Sequence, residues 1–317
     1  MSQSLLDDSA NAGAQRNTPA QRMRTTMAAL RLSFTWFGTR KTLSAAQRAR
    51  AAASFGAESE FLSAGKKLLN TRDPAFRACT SLRNRATTYV RSQSLPFPEP
   101  GLRLIRHDDV EAIDSQLAQY QEDLVDAVTI LDERFSELKQ SARQRLGDLY
   151  SEADYPDTLT GLFDLSWEFP SVEPPEYLRQ LNPALYRQEC LRVQARFDEA
   201  VRLAETAFME VLGRIVEHLH ERLTGADDGS PMVFRDSAVS NLTEFFERFR
   251  SLSLHSHPEL DALVERARSV LQGVAPQQLR DGDRLRQQLA GELARVQSSL
   301  DGLLVDRPRR NIQRSPH

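Results

Sequence analysis

The segment Ser63-Ala64-Gly65-Lys66-Lys67 ends as a phosphate-binding loop ends, with a glycine before lysine. Such a loop also needs an earlier glycine at fixed spacing and a strand leading into it. Neither is evident, so the segment reads as a glycine and two lysines on a helix face. His218 and His220 lie two apart in a helical pattern, which turns their rings about 200° away from each other and prevents a shared metal. His255 and His257 fall in a loop without neighbouring cysteines, and Cys79 and Cys190 have no metal-site or disulfide spacing. Asp281-Gly282-Asp283 and Asp108-Asp109 each precede a helix, where carboxylates cap N–H groups and meet the positive end of the helix dipole. No Ser, Thr or Cys stands in a nucleophile motif. The expectation is a chain with no catalytic residue, metal ligand or cofactor, and not an enzyme.

Charge is more informative. The net charge of −3 hides 13 Lys/Arg against 4 Asp/Glu between Arg40 and Arg106, followed by 11 against 27 between His107 and Ser230. Arg40, Lys41, Lys66, Lys67, Arg72, Arg77, Arg83, Arg85 and Arg91 carry most of the basic segment. Cations at this density suit phosphate oxygens, and Trp36, Phe37 or Tyr89 could stack on bases if exposed. An acidic protein would suit the same surface, including the acidic half of this chain.

The positioning elements are mainly helical. From 108 to 223, Val110, Ile113, Leu117, Tyr120, Leu124, Leu131, Phe135 and Leu138 step by threes and fours, and Val193, Phe197, Val201, Phe208, Val211, Ile215 and Leu219 repeat the pattern. Each arm is roughly 38–40 residues, about 57–60 Å as a helix. Near-equal arms predict a long antiparallel hairpin in which one stripe buries the other. The interruption at about 150–183 holds Tyr155-Pro156, Pro174-Pro175 and the strand-forming run Leu162–Phe169, and predicts a small tip element. Trp167, Phe169 and Tyr177 there are candidate partner-binding anchors, with a small local core as the competing role.

Before the hairpin, 1–27 reads as a disordered leader and 28–107 as a small basic α+β base. In that base Leu30, Leu32, Phe34 and Trp36 alternate as a strand, Ser44 caps an Ala-rich helix, and a second helix covers about 58–69. A third helix opens at Asp73-Pro74, and Leu102–Arg106 is a short strand after a Pro-rich run. After the hairpin come a linker (224–234), C-terminal helices at about 236–252, 258–271 and 283–304, and a basic tail (306–317). No apolar run reaches the ~18–20 residues of a membrane span. A cytoplasmic protein without membrane contact is expected.

Ser33-Phe34-Thr35-Trp36-Phe37-Gly38-Thr39-Arg40-Lys41, Ala64-Gly65-Lys66-Lys67-Leu68-Leu69, Leu95-Pro96-Phe97-Pro98 and Gly101–Arg106, with the long helices after them, resemble an uncharacterised bacterial and phage family known as a domain of unknown function. The resemblance covers about 30–223. Genes of that family can lie beside those for MoxR-type AAA+ ATPases and von Willebrand factor A-type proteins, some in proposed conflict or defence cassettes. This context implies a non-enzymatic helical adaptor with such an ATPase or von Willebrand A-type protein as partner. It supplies no catalytic residues. The alternative, read from charge, is a nucleic-acid-binding protein acting through the basic module.

Overall fold

A computed structural model of the chain describes residues 17–224, 237–272, 278 and 282–305. It runs through helix α1 (Pro19–Thr26), strands β1 (Met27–Thr35) and β2 (Arg40–Thr42), helix α2 (Ala45–Ser54), strand β3 (Gly65–Lys67) and helix α3 (Pro74–Ser92). Strands β4 (Leu95–Pro96) and β5 (Leu102–Arg106) precede helices α4 (Val110–Glu133) and α5 (Phe135–Leu146). Strand β6 (Asp164–Glu168) is followed by helices α6 (Tyr177–Leu181), α7 (Pro183–Thr224), α8 (Ser237–Leu252), α9 (Pro258–Leu271) and α10 (Asp283–Val305). The protein is mainly α with short antiparallel strand pairs. No helix among the described residues is long and apolar enough to cross a membrane.

The chain divides into two compact units. Unit two comprises Leu30–Ser92 and Asp108–Pro170. In it β1 pairs antiparallel with β6, from Arg31 opposite Glu168 to Thr35 opposite Asp164. Asp73 starts α3 by accepting a hydrogen bond from the Ala75 N–H at 2.9 Å, and Pro74 occupies the first turn, where its missing N–H costs nothing. Phe76, Cys79, Leu82, Ala86 and Val90 form the buried face of α3, and α3 packs along α4. Strand β6 also packs against α4.

Unit one comprises Met1–Ala29, Gln93–His107 and Ser171–His317. Its axis is α7, 42 residues and about 63 Å long. Val193, Phe197, Val201, Ala204, Phe208, Leu212, Val216, Leu219 and Leu223 of α7 are buried, and α1, α8 and α10 pack on it. Phe208 meets Phe245 and Phe249 of α8 edge-on, at 6.2 and 5.0 Å between ring centres. Leu289, Leu293, Val296 and Leu300 of α10 are buried in the same core.

Several expectations need correction. The apolar stripes of residues 108–149 and 183–224 do not identify each other as partners. They fall in different units; α3 and β6 pack on α4 of the first, and α1, α8 and α10 pack on α7 of the second. A stripe records that a face is buried, not against what. Within the expected tip element (about 150–183), residues 164–168 form a strand paired with β1 of the same unit. The base expected at 28–107 is shared, since Gln93–His107 belongs to unit one.

The leader is not featureless either. Thr18 and Gln21 form a reciprocal capping box that starts α1, and Ala20 and Met23 are buried against the unit-one core. Residues 58–69 are not a helix; they contain a short 3-10 turn (Ser59–Phe61) and then β3. The three C-terminal helices coincide with the expected segments. The first sixteen residues, the linker from 225, Asp281 and the tail from 306 lie outside the described residues.

Candidate anion-binding site

The chemistry-bearing residues of unit two meet at the β2–β3 ribbon. Arg40 stands opposite Lys67, Lys41 opposite Lys66, and Thr42 opposite Gly65. Side chains alternate between the faces of a strand, and opposite residues share a face. Arg40 and Lys67 therefore occupy one face, Lys41 and Lys66 the other. Gly65 serves the pairing and not a phosphate loop: a Cβ there would come within 3.2 Å of the Lys41 carbonyl oxygen. The helix-face reading of Gly65-Lys66-Lys67 is corrected accordingly.

The Lys41–Lys66 face is closed by Asp154, from the 3-10 turn Glu152–Asp154. Asp154 Oδ1 lies 2.6 Å from Lys41 Nζ, and its Oδ2 contacts Lys66 Nζ. The Lys66 and Asp154 side chains are 5% and 7% exposed, while that of Lys41 remains 53% exposed. Lys66 Nζ also donates to the Leu149 carbonyl at 2.5 Å. Hydrogen bonds from Lys41 and Lys66 hold the Asp154 carboxyl below the usual carboxylate range. Beside it, Tyr155 donates to the Leu68 carbonyl at 3.0 Å and stacks on Tyr150. Burial, reinforced by nearby Tyr150 and Asp154, pushes the Tyr155 hydroxyl up to about 12. These contacts lock the segment 147–155 onto the ribbon.

Among the described residues the Arg40–Lys67 face has no such counter-ion. Beyond Lys67 the chain forms the loop 68–73, pinned by Leu68 N–H to Thr39 C=O (2.8 Å) and Asp73 N–H to Asn70 C=O (3.0 Å). This loop and α5 enclose a cleft of about 340 Å³. Buried Leu68, Leu69, Leu138 and Ala142 provide its apolar floor, and Lys67, Arg72 and Arg145 stand exposed on its rim. Asn70, Thr71 and Ser141 add neutral polar groups. Among the described residues no carboxylate lines the cleft. The nearest in sequence, Asp73, turns away to cap α3 and to bind Arg134 (3.2 Å). The arrangement can hold an anion bearing a flat or apolar portion.

The basic residues read from sequence thus separate into groups. Arg40, Lys67 and Arg72 lie on the free ribbon face and cleft, whereas Lys41 and Lys66 share the Asp154 carboxylate. Arg83 lies over the rings of Phe34 and Trp36, 5.2 Å from each centre, and Arg85 lies over Tyr120. Arg77 and Arg91 are exposed on α3. The candidate stacking aromatics are engaged elsewhere: Trp36 packs on Phe163 at 4.8 Å, Phe37 faces Phe135, and Tyr89 faces Tyr120. Unit two as a whole is not basic. Its first segment has 12 Lys/Arg against 3 Asp/Glu, its second 4 against 16, for a net −3.

The three expected tip aromatics are divided between the two units. Trp167 is half-buried in β6 and donates from Nε1 to Asp114 Oδ1 at 2.7 Å. Phe169, 40% exposed, belongs to unit two, and Tyr177, 63% exposed, to unit one. Sequence reasoning missed Arg145 and Asp154. Arg145 sat in the acidic arm, where averaging hid it, and the basic last turn of α5 reads as a response to the helix dipole. Asp154 had no signal, because its partners are about 90 and 110 residues away in sequence.

A second cleft, of about 550 Å³, lies between α8 and α9 over Phe246, Phe249 and Val264. His255 on its rim has φ of 50° and places Nδ1 3.2 Å from Asp261 Oδ1. A carboxylate-oriented imidazole is one part of a general-base arrangement. The neighbouring Ser256 hydroxyl, however, is committed to Glu205 (2.6 Å), and His257 Nδ1 accepts the Leu260 N–H to cap α9. The described residues contain no group of three or more His, Cys, Asp or Glu able to hold a metal. No family model, curated protein or solved structure matches this chain.

Proposed function

We propose that this chain is a non-catalytic nucleic-acid-binding protein that engages the phosphate backbone through Arg40, Lys67, Arg72 and Arg145. The observation that carries this reading is the set of three cations around a cleft that no described carboxylate lines, beside a ribbon face whose two lysines share Asp154. A merely solvated surface would have no reason to keep Arg40 directly opposite Lys67, because like charges across a strand pair repel. Binding of a labelled 20-nucleotide oligonucleotide, followed by anisotropy against salt, tests it. Affinity should fall steeply with salt, and the joint Lys67→Glu and Arg145→Glu change should cut it by at least about tenfold and reduce the slope. Salt-independent or undetectable binding at low salt would remove the proposal.

A second reading, a helical adaptor, is favoured by a separate observation. The first ten residues of α7 precede its buried stretch, and with α6 they leave Tyr177, Leu181 and Leu191 63–77% exposed. Exposed apolar side chains grouped this way fit a protein partner, such as the AAA+ ATPase or von Willebrand A-type protein of the resembled family. Leu181→Glu should then abolish co-purification of that partner without lowering the melting temperature. Unchanged co-purification would sink this reading.

A further inference from the structure

Backbone contacts alone bind duplex and single strand alike, because both present phosphates. The cleft carries more than charge. Its floor is hydrocarbon from Leu68, Leu69, Leu138 and Ala142, which a phosphate cannot use, and its cations sit only at the rim. A group that fits must therefore be flat or apolar at depth and anionic at the mouth. A nucleotide has that polarity: base inward, phosphates outward. The volume of about 340 Å³ falls in the range of pockets that hold small organic ligands. Asn70, Thr71 and Ser141 stand along the walls, where base edges offer donors and acceptors.

We infer that the cleft between residues 67–72 and α5 takes one unpaired base, making the protein selective for single-stranded nucleic acid over duplex. This rests on the nucleic-acid reading above. In a duplex the bases are stacked and paired, so none reaches the floor without the cost of extrusion. Lys67, Arg72 and Arg145 then hold the phosphates on either side of the inserted base. Because the floor lacks an aromatic platform, discrimination among bases should be weak, and the preference should follow strandedness more than sequence.

The test compares three probes of equal length on the intact chain: a single-stranded 20-mer, a single strand of the same phosphate count with abasic sites throughout the central half, and the duplex, whose doubled phosphates give it no electrostatic disadvantage. Single strand should bind about tenfold tighter than either of the others, about 1.4 kcal/mol for one buried base. Ser141→Phe, which fills the cleft mouth from a half-buried helix position, should lower single-strand affinity to the duplex level and leave the melting temperature unchanged. The abasic probe leaves the protein untouched, so the result does not depend on that variant folding. Equal binding of all three probes, still weakened by Lys67→Glu and by salt, would overturn the base pocket while sparing the backbone reading. Absence of binding to any oligonucleotide, with binding to poly-glutamate, would overturn both and assign the cleft to an acidic protein.

Discussion

The two faces of the β2–β3 ribbon carry the same charges in opposite circumstances. Lys41 and Lys66 converge on Asp154, and Lys66 is buried; Arg40 and Lys67, on the adjoining residues, face solvent, and Lys67 lines a cleft that no described carboxylate lines. Strand alternation performs the division. Four cations within two tripeptides become two that fasten the fold and two left for an external anion. Counting positive residues along the segment cannot see this, since the distinction lies in which face a turn near residue 154 covers.

The largest effect should come from breaking the closed face. Removing one member of a buried ion pair leaves the other charge desolvated and unpaired, which costs about 3–5 kcal/mol. Asp154→Asn should destabilise unit two by about 3 kcal/mol, the low end, because Lys41 stays half-exposed. Urea unfolding measures it. Adding Lys66→Met to that variant should recover much of the loss, since an apolar group tolerates the vacated site. The same contrast has a pH signature. A carboxyl whose folded pKa lies below its unfolded value stabilises the fold above the unfolded pKa, and that stability is lost as pH falls through the folded one. The wild-type chain should therefore lose stability below about pH 4 more steeply than Asp154→Asn. Parallel acid-unfolding curves would show that Asp154 does not close the face.

How far the sequence reaches can be judged along the same segments. Local signals located their elements well: Ser44 before α2, Asp73-Pro74 before α3, and Pro258 opening α9 all sit where capping chemistry puts them. The Thr18–Gln21 capping box was equally local and equally legible, but the polar composition around it read as leader. Non-local partners were not legible. Residues 65–67 form a strand only because 40–42 lie beside them, and nothing within 58–69 announces that pairing. The long stripes of α4 and α7 announced burial without naming α3, β6, α1, α8 or α10 as the cover. The candidate site inherited this limit. Lys67 and Arg72 were readable as basic, whereas Arg145 joined them only through the packing of α5 against the loop 68–73.

The smallest effect is the most discriminating for the open face. Lys67→Thr removes a like charge directly opposite Arg40 and substitutes a residue suited to a strand. If that face is held open for an outside anion, the change should raise stability by about 0.2–1 kcal/mol while weakening oligonucleotide binding. Opposite signs in the two measurements are what a binding surface maintained against its own repulsion requires, because selection for function tolerates local cost. Lys41→Thr gives the reference: it removes a cation equally close in sequence but one engaged by Asp154, so stability should fall and binding should hold. A chain in which both threonine variants lose stability, with affinity untouched, would place all four cations on the structural side of the comparison and leave the cleft without a role.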